Sequence, residues 1–289
     1  MIVPQTSKAE PTQQTEQEQD TPKGKHFVGS LARAFGGSII FALPMMMTME
    51  MWWLGFSIDR LRLALLLVVA FPLLIGVSHI AGFEDTFNFT EDVVDVLVAY
   101  AVGFVSAAGM LFLFNTLTLE TSLDNAVGMV SLQAVPGSFG ALLARGELGE
   151  SKSERLQKDL SFGEELLLMI VGGLFLALNI SPTEEVILIA YKMTPWHAVA
   201  LALVSMALMH TFVYVAGFRG QEKSPQEISS ASLFLRFTVT GYALVLLTCF
   251  YVLWTFGRTT DIGLQETLTS VIVLAFPASI GAAAARLIL

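Results

Sequence analysis

FGGSIIFALPMMMTMEMWWLGF, residues 35–56, is the stretch that decides the fold. It carries one charged side chain, Glu50, in an otherwise apolar run. A helix needs about 20 mostly apolar residues to cross the hydrocarbon core of a bilayer, which is about 30 Å thick. The stretch is long enough, so it predicts a transmembrane helix.

Seven further segments share this apolar character along the rest of the chain. They are Arg62–Phe83, Val93–Leu117, Leu123–Leu143, Glu165–Tyr191, Trp196–Phe218, Ser232–Phe256 and Leu264–Leu289. Charged residues make up only 14% of the chain, against about 25% in soluble domains. Long runs without alternation are typical of helices, not of barrel strands. The sequence therefore predicts an all-α, polytopic membrane bundle of about eight transmembrane helices, with the lipid bilayer as its surroundings.

The polar segments at the amino terminus and near the middle of the chain predict two regions outside the membrane. Residues 1–30 are rich in Gln, Glu, Thr and Lys, which predicts a disordered cytoplasmic tail. Residues 147–163 predict a cytoplasmic linker. The single cysteine, Cys249, excludes an internal disulfide and a cysteine metal site. No basic stripe is present, so we expect no nucleic-acid partner.

The distribution of Lys and Arg predicts the orientation, because cytoplasmic loops carry an excess of these residues. Twelve of the 16 lie on the side of the amino terminus: Lys8, Lys23, Lys25, Arg33, Arg145, Lys152, Arg155, Lys158, Arg219, Lys223, Arg236 and Arg286. The other side has four, Arg60, Arg62, Lys192 and Arg258. Tryptophans favour the headgroup level, and all of them fall at predicted outer ends: Trp52, Trp53, Trp196 and Trp254. We therefore expect both termini in the cytoplasm.

An internal repeat divides the chain into two tandem four-helix units, residues 31–146 and 164–289. Residues 35–83 align with 170–218 at a constant shift of 135 without a gap. The fourth span recurs in the eighth at a shift of 141, where PGSFGA from Pro136 matches PASIGA from Pro277. An even number of spans per unit keeps both copies in the same orientation, so we expect parallel repeats. Small residues in these two motifs permit close helix approach.

Two glutamates, Glu50 and Glu185, occupy equivalent positions in the first and fifth spans. A carboxylate in hydrocarbon is tolerated when it faces a partner or a cavity, or when it is protonated. Two facing carboxylates bind a cation or share a proton. Oxygen-bearing neighbours would assist as cation ligands: Thr48, Thr183, Asn179 and Glu184. The alternative is that both glutamates lie near the outer interface and are simply solvated.

Other polar residues in the spans suggest lesser roles. Asp95 and Arg236 occupy matching positions at the 141 shift and predict a structural ion pair. His210 lies near the middle of the sixth span, where it is either a proton relay or a hydrogen-bonded structural residue. The run Asn179–Thr183 predicts a helix break at Pro182. Pro44 is not in register with Pro182, which weakens a symmetric site.

The segments Leu43–Glu50 and Asn179–Glu185 resemble a bacterial and archaeal family of integral membrane proteins that is carried as a domain of unknown function. That resemblance covers nearly everything after the tail and implies a bacterial-type plasma membrane. A weaker likeness to the repeats of cation/calcium exchangers rests on ALNISPTE, residues 177–184. Exchanger repeats are inverted, so this likeness implies cation chemistry and not membership.

Three functions fit these features. The first is a transporter or channel for a cation, either a proton or a divalent metal. The second is a non-transporting scaffold or sensor whose tail and linker contact a cytoplasmic partner. The third, a membrane enzyme, is the least favoured because no catalytic motif is present. We expect no cofactor, and the sequence leaves a homo-oligomer open.

Overall fold

The computed structural model describes residues 23–81, 89–147, 160–215 and 234–288. These residues form α-helices joined by short turns, and they contain no strand. The prediction of an all-α protein is therefore confirmed. The helices are α1 Lys23–Met46, α2 Met49–Ser57, α3 Arg60–Ala81, α4 Phe89–Leu113, α5 Leu123–Glu147, α6 Phe162–Ile180, α7 Glu184–Lys192, α8 Pro195–Val215, α9 Thr240–Thr255 and α10 Leu264–Ile288, with a π-helical segment at Phe234–Val239 before α9.

Eight of the helical segments in the described ranges are long and apolar enough to cross a membrane. They are Val28–Met46, Arg60–Ile80, Phe89–Leu113, Leu123–Ala144, Phe162–Ile180, Pro195–Phe212, Phe237–Thr255 and Leu264–Ala285. This number confirms the predicted polytopic bundle. The fourth and eighth of them, in α5 and α10, are the most enclosed, so these two helices form the centre of the packing.

The first span is not the single helix over residues 35–56 that the sequence predicts. Helix α1 ends at Met46 and the nine-residue α2 begins at Met49, after an extended Thr48 at φ −98° and ψ 128°. Pro44 lies in the last turn of α1, where its missing N–H weakens the helix. The break predicted in the fifth span at Asn179–Thr183 is confirmed, since α6 ends at Ile180 and α7 begins at Glu184.

The helix bounds recur at the same shifts as the sequence repeat. Adding 135 to the starts of α2 and α3 gives the starts of α7 and α8. Adding 141 to both ends of α5, Leu123 and Glu147, gives both ends of α10. The two breaks are therefore in register, although the two prolines are not.

A glycine-mediated helix crossing occurs once in each half of the chain. A Cβ added at Gly37 of α1 would lie 2.4 Å from the Gly140 carbonyl oxygen of α5. At the equivalent Gly172 of α6, a Cβ would lie 2.3 Å from the Gly281 carbonyl oxygen of α10. The predicted close approach at these small residues is confirmed, and only glycine permits it.

Contacts between the two halves centre on α1, α3, α6 and α9. The rings of Phe41 in α1 and Phe175 in α6 are 4.8 Å apart between centroids. On the side that the sequence predicts to be external, Arg62 of α3 donates a 2.8 Å hydrogen bond to the Trp254 carbonyl oxygen. Its guanidinium also lies 4.9 Å from the centre of the Trp254 ring. An aromatic contact and an arginine thus join the halves at different depths.

Two predicted extramembrane regions fall largely outside the described residues, namely residues 1–22 of the tail and 148–159 of the linker. Helix α1 already begins at Lys23, within the segment assigned to the tail. At the end of the linker, Ser161 and Glu164 form a reciprocal capping box that starts α6.

Candidate functional site at two helix breaks

The first break lies well inside the length of the central helix α5. Met46, the last residue of α1, belongs to a small apolar cluster with Ala107 of α4, against which Val130 of α5 packs. Val130 follows the first residue of α5 by seven positions, a distance of about 10 Å along a helix. The break is therefore at the depth of the membrane-spanning part of α5.

Hydrogen bonds from side chains close the first break. The Thr48 hydroxyl donates to the Met45 carbonyl oxygen at 2.9 Å. The Trp52 indole N–H donates to the Met46 carbonyl oxygen at 2.7 Å. Helix ends leave such carbonyls without an intrahelical donor. The Trp52 indole thus satisfies a carbonyl that the break would leave unpaired, and the Thr48 hydroxyl adds a second hydrogen bond to the Met45 carbonyl oxygen, which also accepts the Thr48 backbone N–H at 3.2 Å.

At the second break, one hydrogen-bond donor is equivalent to a donor of the first break and the other is not. The Thr183 hydroxyl donates to the Ile180 carbonyl oxygen at 2.8 Å, as Thr48 does in the first copy. Arg258, from the turn after α9, donates to the Pro182 carbonyl oxygen. The same guanidinium donates to Glu184 Oε1 at 2.7 Å. A tethered positive charge therefore lies at the second break.

The position of Arg258 depends on the glycine before it. Gly257 has a φ of 73°, a left-handed conformation that glycine adopts without strain. This turn lets the Arg258 N–H bond the Leu253 carbonyl oxygen at 2.8 Å, which closes the end of α9. Arg258 has no equivalent in the first copy, because the residue at the 141 shift is Leu117.

Two oxygen atoms at the second break are buried without a hydrogen-bond donor among the described residues. They are Asn179 Oδ1 and Ser181 Oγ, and Ser181 is fully buried. The amide nitrogen of Asn179 donates to the Phe175 carbonyl oxygen at 2.7 Å, so the amide oxygen is turned away from that helix turn. Leaving a buried acceptor unpaired is costly. These oxygens are therefore available to a donor or a cation.

The predicted glutamates all lie in the first turn of the half-helices that follow the breaks. Glu50 is the second residue of α2, half-buried, and no hydrogen bond or ion pair to it occurs among the described residues. Glu184 and Glu185 open α7, and both are exposed. The amino end of a helix favours negative charge, so each half-helix stabilises its carboxylates locally.

The two breaks are equally far from the contact between the halves. Met46 follows Phe41 by five residues, and Ile180 follows Phe175 by five residues. Each break therefore begins about 7 to 8 Å along its helix from the aromatic contact. A shared cavity between Glu50 and Glu185 stays a prediction.

The remaining predicted residues lie elsewhere. His210 Nδ1 of α8 lies 2.9 Å from the Thr238 hydroxyl in the π-helical segment, and its ring packs edge-on against Phe234. The proton-relay role of His210 stays a prediction. The side chain of Arg236 lies outside the described part, so its pairing with Asp95 also stays a prediction. No cluster of three or more His, Cys, Asp or Glu side chains suited to a metal occurs among the described residues.

Sequence reasoning missed two of the groups that close the breaks. Trp52 was interpreted as a marker of the headgroup level, and Arg258 as a loop charge. The Trp52 indole donates a hydrogen bond to the carbonyl of a residue six positions earlier in the chain. Arg258 donates to a carbonyl 76 positions earlier. The sequence feature that sets Arg258 apart is its position on the predicted outer side, which has few Lys and Arg residues.

Comparison with known proteins gives a family for almost the whole chain. Residues 30–289 match the family described as "Putative integral membrane protein (DUF2391)". No curated protein and no solved structure matches the chain. The match covers both halves and both helix breaks.

Proposed function

Because the chain belongs to the integral membrane protein family DUF2391, we propose a function within the bilayer, the movement of a cation across the membrane at the two helix breaks. The observation that carries this proposal is the pair of discontinuous helices, α1–α2 and α6–α7, in register in the two halves. Interrupted helices at corresponding positions of two repeats are typical of the substrate sites of transporters.

Charge at the breaks supports a cation as the substrate. Glu50 is half-buried, and no positive partner to it occurs among the described residues. Half-buried carboxylates at membrane depth favour a cation or a proton. Oxygen ligands of the kind that hard cations prefer are available at the second break, namely Asn179 Oδ1 and Ser181 Oγ. We assign Glu50 and Glu185 as the binding carboxylates.

Thr48 and Thr183 assist in this proposal through their hydroxyl oxygens. Each hydroxyl uses its hydrogen on a carbonyl of the preceding helix, which leaves lone pairs of the oxygen for a cation. Glu184 has a different role, because Arg258 already neutralises it. We propose that Arg258 holds the second break in place during transport.

The orientation of this transporter follows from the distribution of charge. We propose that both termini are cytoplasmic, with the breaks towards the outer side. Three of the four Lys and Arg residues on that side donate hydrogen bonds to backbone carbonyls of helix ends or breaks: Arg60 to Gly55, Arg62 to Trp254 and Arg258 to Pro182. These hydrogen bonds explain why three arginines lie on a side that otherwise has few Lys and Arg residues.

Ion flux into vesicles that contain the purified protein tests the proposal. The vesicles would be assayed with protons, Na⁺, K⁺, Ca²⁺ and Mn²⁺ on the outside. We expect flux of at least one of these cations, its loss in the double variant Glu50→Gln with Glu185→Gln, and its retention in the control Glu120→Gln. Glu120 is an exposed glutamate between α4 and α5.

Two outcomes would contradict the proposal. One is the absence of flux of every cation tested in vesicles with folded wild-type protein. The other is flux in the double variant equal to that of the wild type. In the first case the scaffold function becomes the better explanation, and binding of a cytoplasmic partner would be the next measurement.

A further inference from the structure

The seam between α1, α4 and α5 in the first half contains buried polar side chains that do not belong to either helix break. Ser38 of α1 and Gln133 of α5 are fully buried, and Ser106 of α4 is 4% exposed. Neither polar atom of the Gln133 amide has a hydrogen-bond partner among the described residues. The hydroxyls of Ser38 and Ser106 have none there either.

These side chains are close to one another along the three helices. A Cβ added at Gly137 would lie 2.8 Å from Ser38 Oγ and 3.4 Å from the Cα of Gly103. Gln133 precedes Gly137 by one helical turn, and Ser106 follows Gly103 by about one turn. The three helices contact one another pairwise. The unpaired groups therefore belong to one layer of the bundle.

An apolar layer lies next to this polar layer on the side of the first break. It consists of Ala42, Met46 and Ala107, with Met110 and Val130 packed against them. These residues form a cluster separate from the main hydrophobic core. The polar side chains of the neighbouring layer are a physical reason for that separation.

The second half of the chain lacks this polar layer. Gln133 is matched by the buried Leu274 at the 141 shift, and Ser38 is matched by Gly173 at the 135 shift. The polar layer is thus a feature of one repeat and is not required by the shared backbone.

We propose that this layer is a binding site for water molecules inside the first half of the protein. Each member is neutral, so the site compensates neither a cation nor an anion. Together the amide and the hydroxyls offer both donors and acceptors, which suits water. The close contacts at Gly103 and Gly137 show that α1, α4 and α5 pack tightly at this layer, so a ligand there must be small. Buried waters commonly bind polar groups that lack protein partners.

X-ray radiolytic labelling with mass spectrometry tests this site in the full-length protein, because hydroxyl radicals formed from bound water oxidise neighbouring side chains. Met129 lies one turn from Gln133, and Met46 belongs to the apolar cluster next to the layer. Met169 and Met209 provide the comparison in the second half. All four are fully buried. We expect oxidation of Met46 and Met129 to exceed that of Met169 and Met209, and this excess to be lost in Gln133→Leu.

Control variants separate the site from general effects of buried polar groups. Ser78→Ala removes another buried hydroxyl without a partner, in α3, and should leave the labelling of Met46 unchanged. Where Gln133→Leu fails to give folded protein, the smaller double change Ser38→Ala with Ser106→Ala should reduce the labelling. Equal oxidation of all four methionines in the wild type would overturn the proposal, as would excess labelling that persists in the variants.

Discussion

The two helix breaks have the same backbone plan but different groups that close them. In the first, the Trp52 indole bonds the Met46 carbonyl oxygen, and Glu50 is left without a positive partner among the described residues. In the second, Arg258 bonds the Pro182 carbonyl oxygen and neutralises Glu184. The bounds of the half-helices nevertheless agree at the same shift. The break is thus a property of the duplicated fold, whereas the side chains that bond its carbonyl oxygens are partly specific to each copy.

A threonine is the closing element that the two copies share. Thr48 and Thr183 are at equivalent positions and bond equivalent carbonyl oxygens, those of Met45 and Ile180. The paired glycines Gly37 and Gly172 are conserved between the copies in the same way and with the same contacts. Groups that determine the backbone, and the carboxylates Glu50 and Glu185, are therefore common to both halves, whereas the ion pair of Arg258 with Glu184 is not.

The largest expected effect comes from the shared glycine crossing. Gly37→Ala would place a Cβ 2.2 Å from the Cβ of Ala144, so α1 and α5 must separate. We expect the free energy of unfolding to fall by about 3 kcal/mol, and by a similar amount for Gly172→Ala. Denaturant titration in detergent micelles measures both values.

The matched control for this pair is Gly36→Ala, because no atom lies within 4 Å of a Cβ added at Gly36. This variant should raise the free energy of unfolding by about 1 kcal/mol, because alanine favours a helix more than glycine does and its Cβ meets no other atom. A loss of stability at Gly36 equal to that at Gly37 would show that the crossing is not the reason.

Arg258→Met should have the next largest effect and should act on the second break alone. Hydrogen bonds from a charged donor contribute about 1.5 to 3 kcal/mol, and the change removes two of them. We expect a loss of stability in that range by the same titration. Glu184→Gln should cost less, because its side chain is 70% exposed. Equal losses for the two variants would contradict the assignment of the Pro182 carbonyl as the main acceptor.

Trp52→Phe should have a smaller effect, at the first break. It keeps an aromatic ring, although a smaller one, and removes the indole N–H. The neutral hydrogen bond to the Met46 carbonyl oxygen that is lost contributes about 0.5 to 1.5 kcal/mol. Trp53→Phe is the matched control, since Trp53 is 67% exposed. An unfolding free energy that falls equally in both variants would remove the distinct role of Trp52.

The smallest expected effects are those of Thr48→Val and Thr183→Val. Each removes one hydroxyl that donates to the preceding helix, so each should cost about 1 kcal/mol or less. The comparison between copies predicts equal losses. A clear difference between them in the same titration would show that the two breaks are not closed alike.

Much of the fold was predictable from the sequence because membrane helices follow from the length and polarity of apolar runs. The repeat was predictable because Gly37 matches Gly172 at a shift of 135 and the two proline motifs match at a shift of 141. The break after Met46 was not predicted, since Met47 and Met49 are compatible with a continuous helix and Pro44 is out of register with Pro182. The break after Met46 is a feature of the fold that both copies share.

The candidate site was predictable only in part. Glutamates in apolar segments are conspicuous in sequence, and Glu50, Glu184 and Glu185 do lie at the breaks. The neutralisation of Glu184 depends on Arg258, which is 74 residues distant. Sequence spacing contains no information on a contact of that length. The burial of Gln133 against helices α1 and α4 was missed for the same reason.

Infrared difference spectroscopy of the carboxylates tests most directly whether Glu50 and Glu185 bind a cation. Spectra of the purified protein would be recorded before and after addition of Na⁺, K⁺, Ca²⁺ or Mn²⁺, and after a pH step. We predict a shift of carboxylate bands on addition of at least one cation, reduced in Glu50→Gln and in Glu185→Gln and absent in the double variant. In the pH step, the double variant should lack the protonation bands of these two carboxyl groups and keep those of the other Asp and Glu residues. A difference spectrum that is the same in the double variant and the wild type would contradict the account.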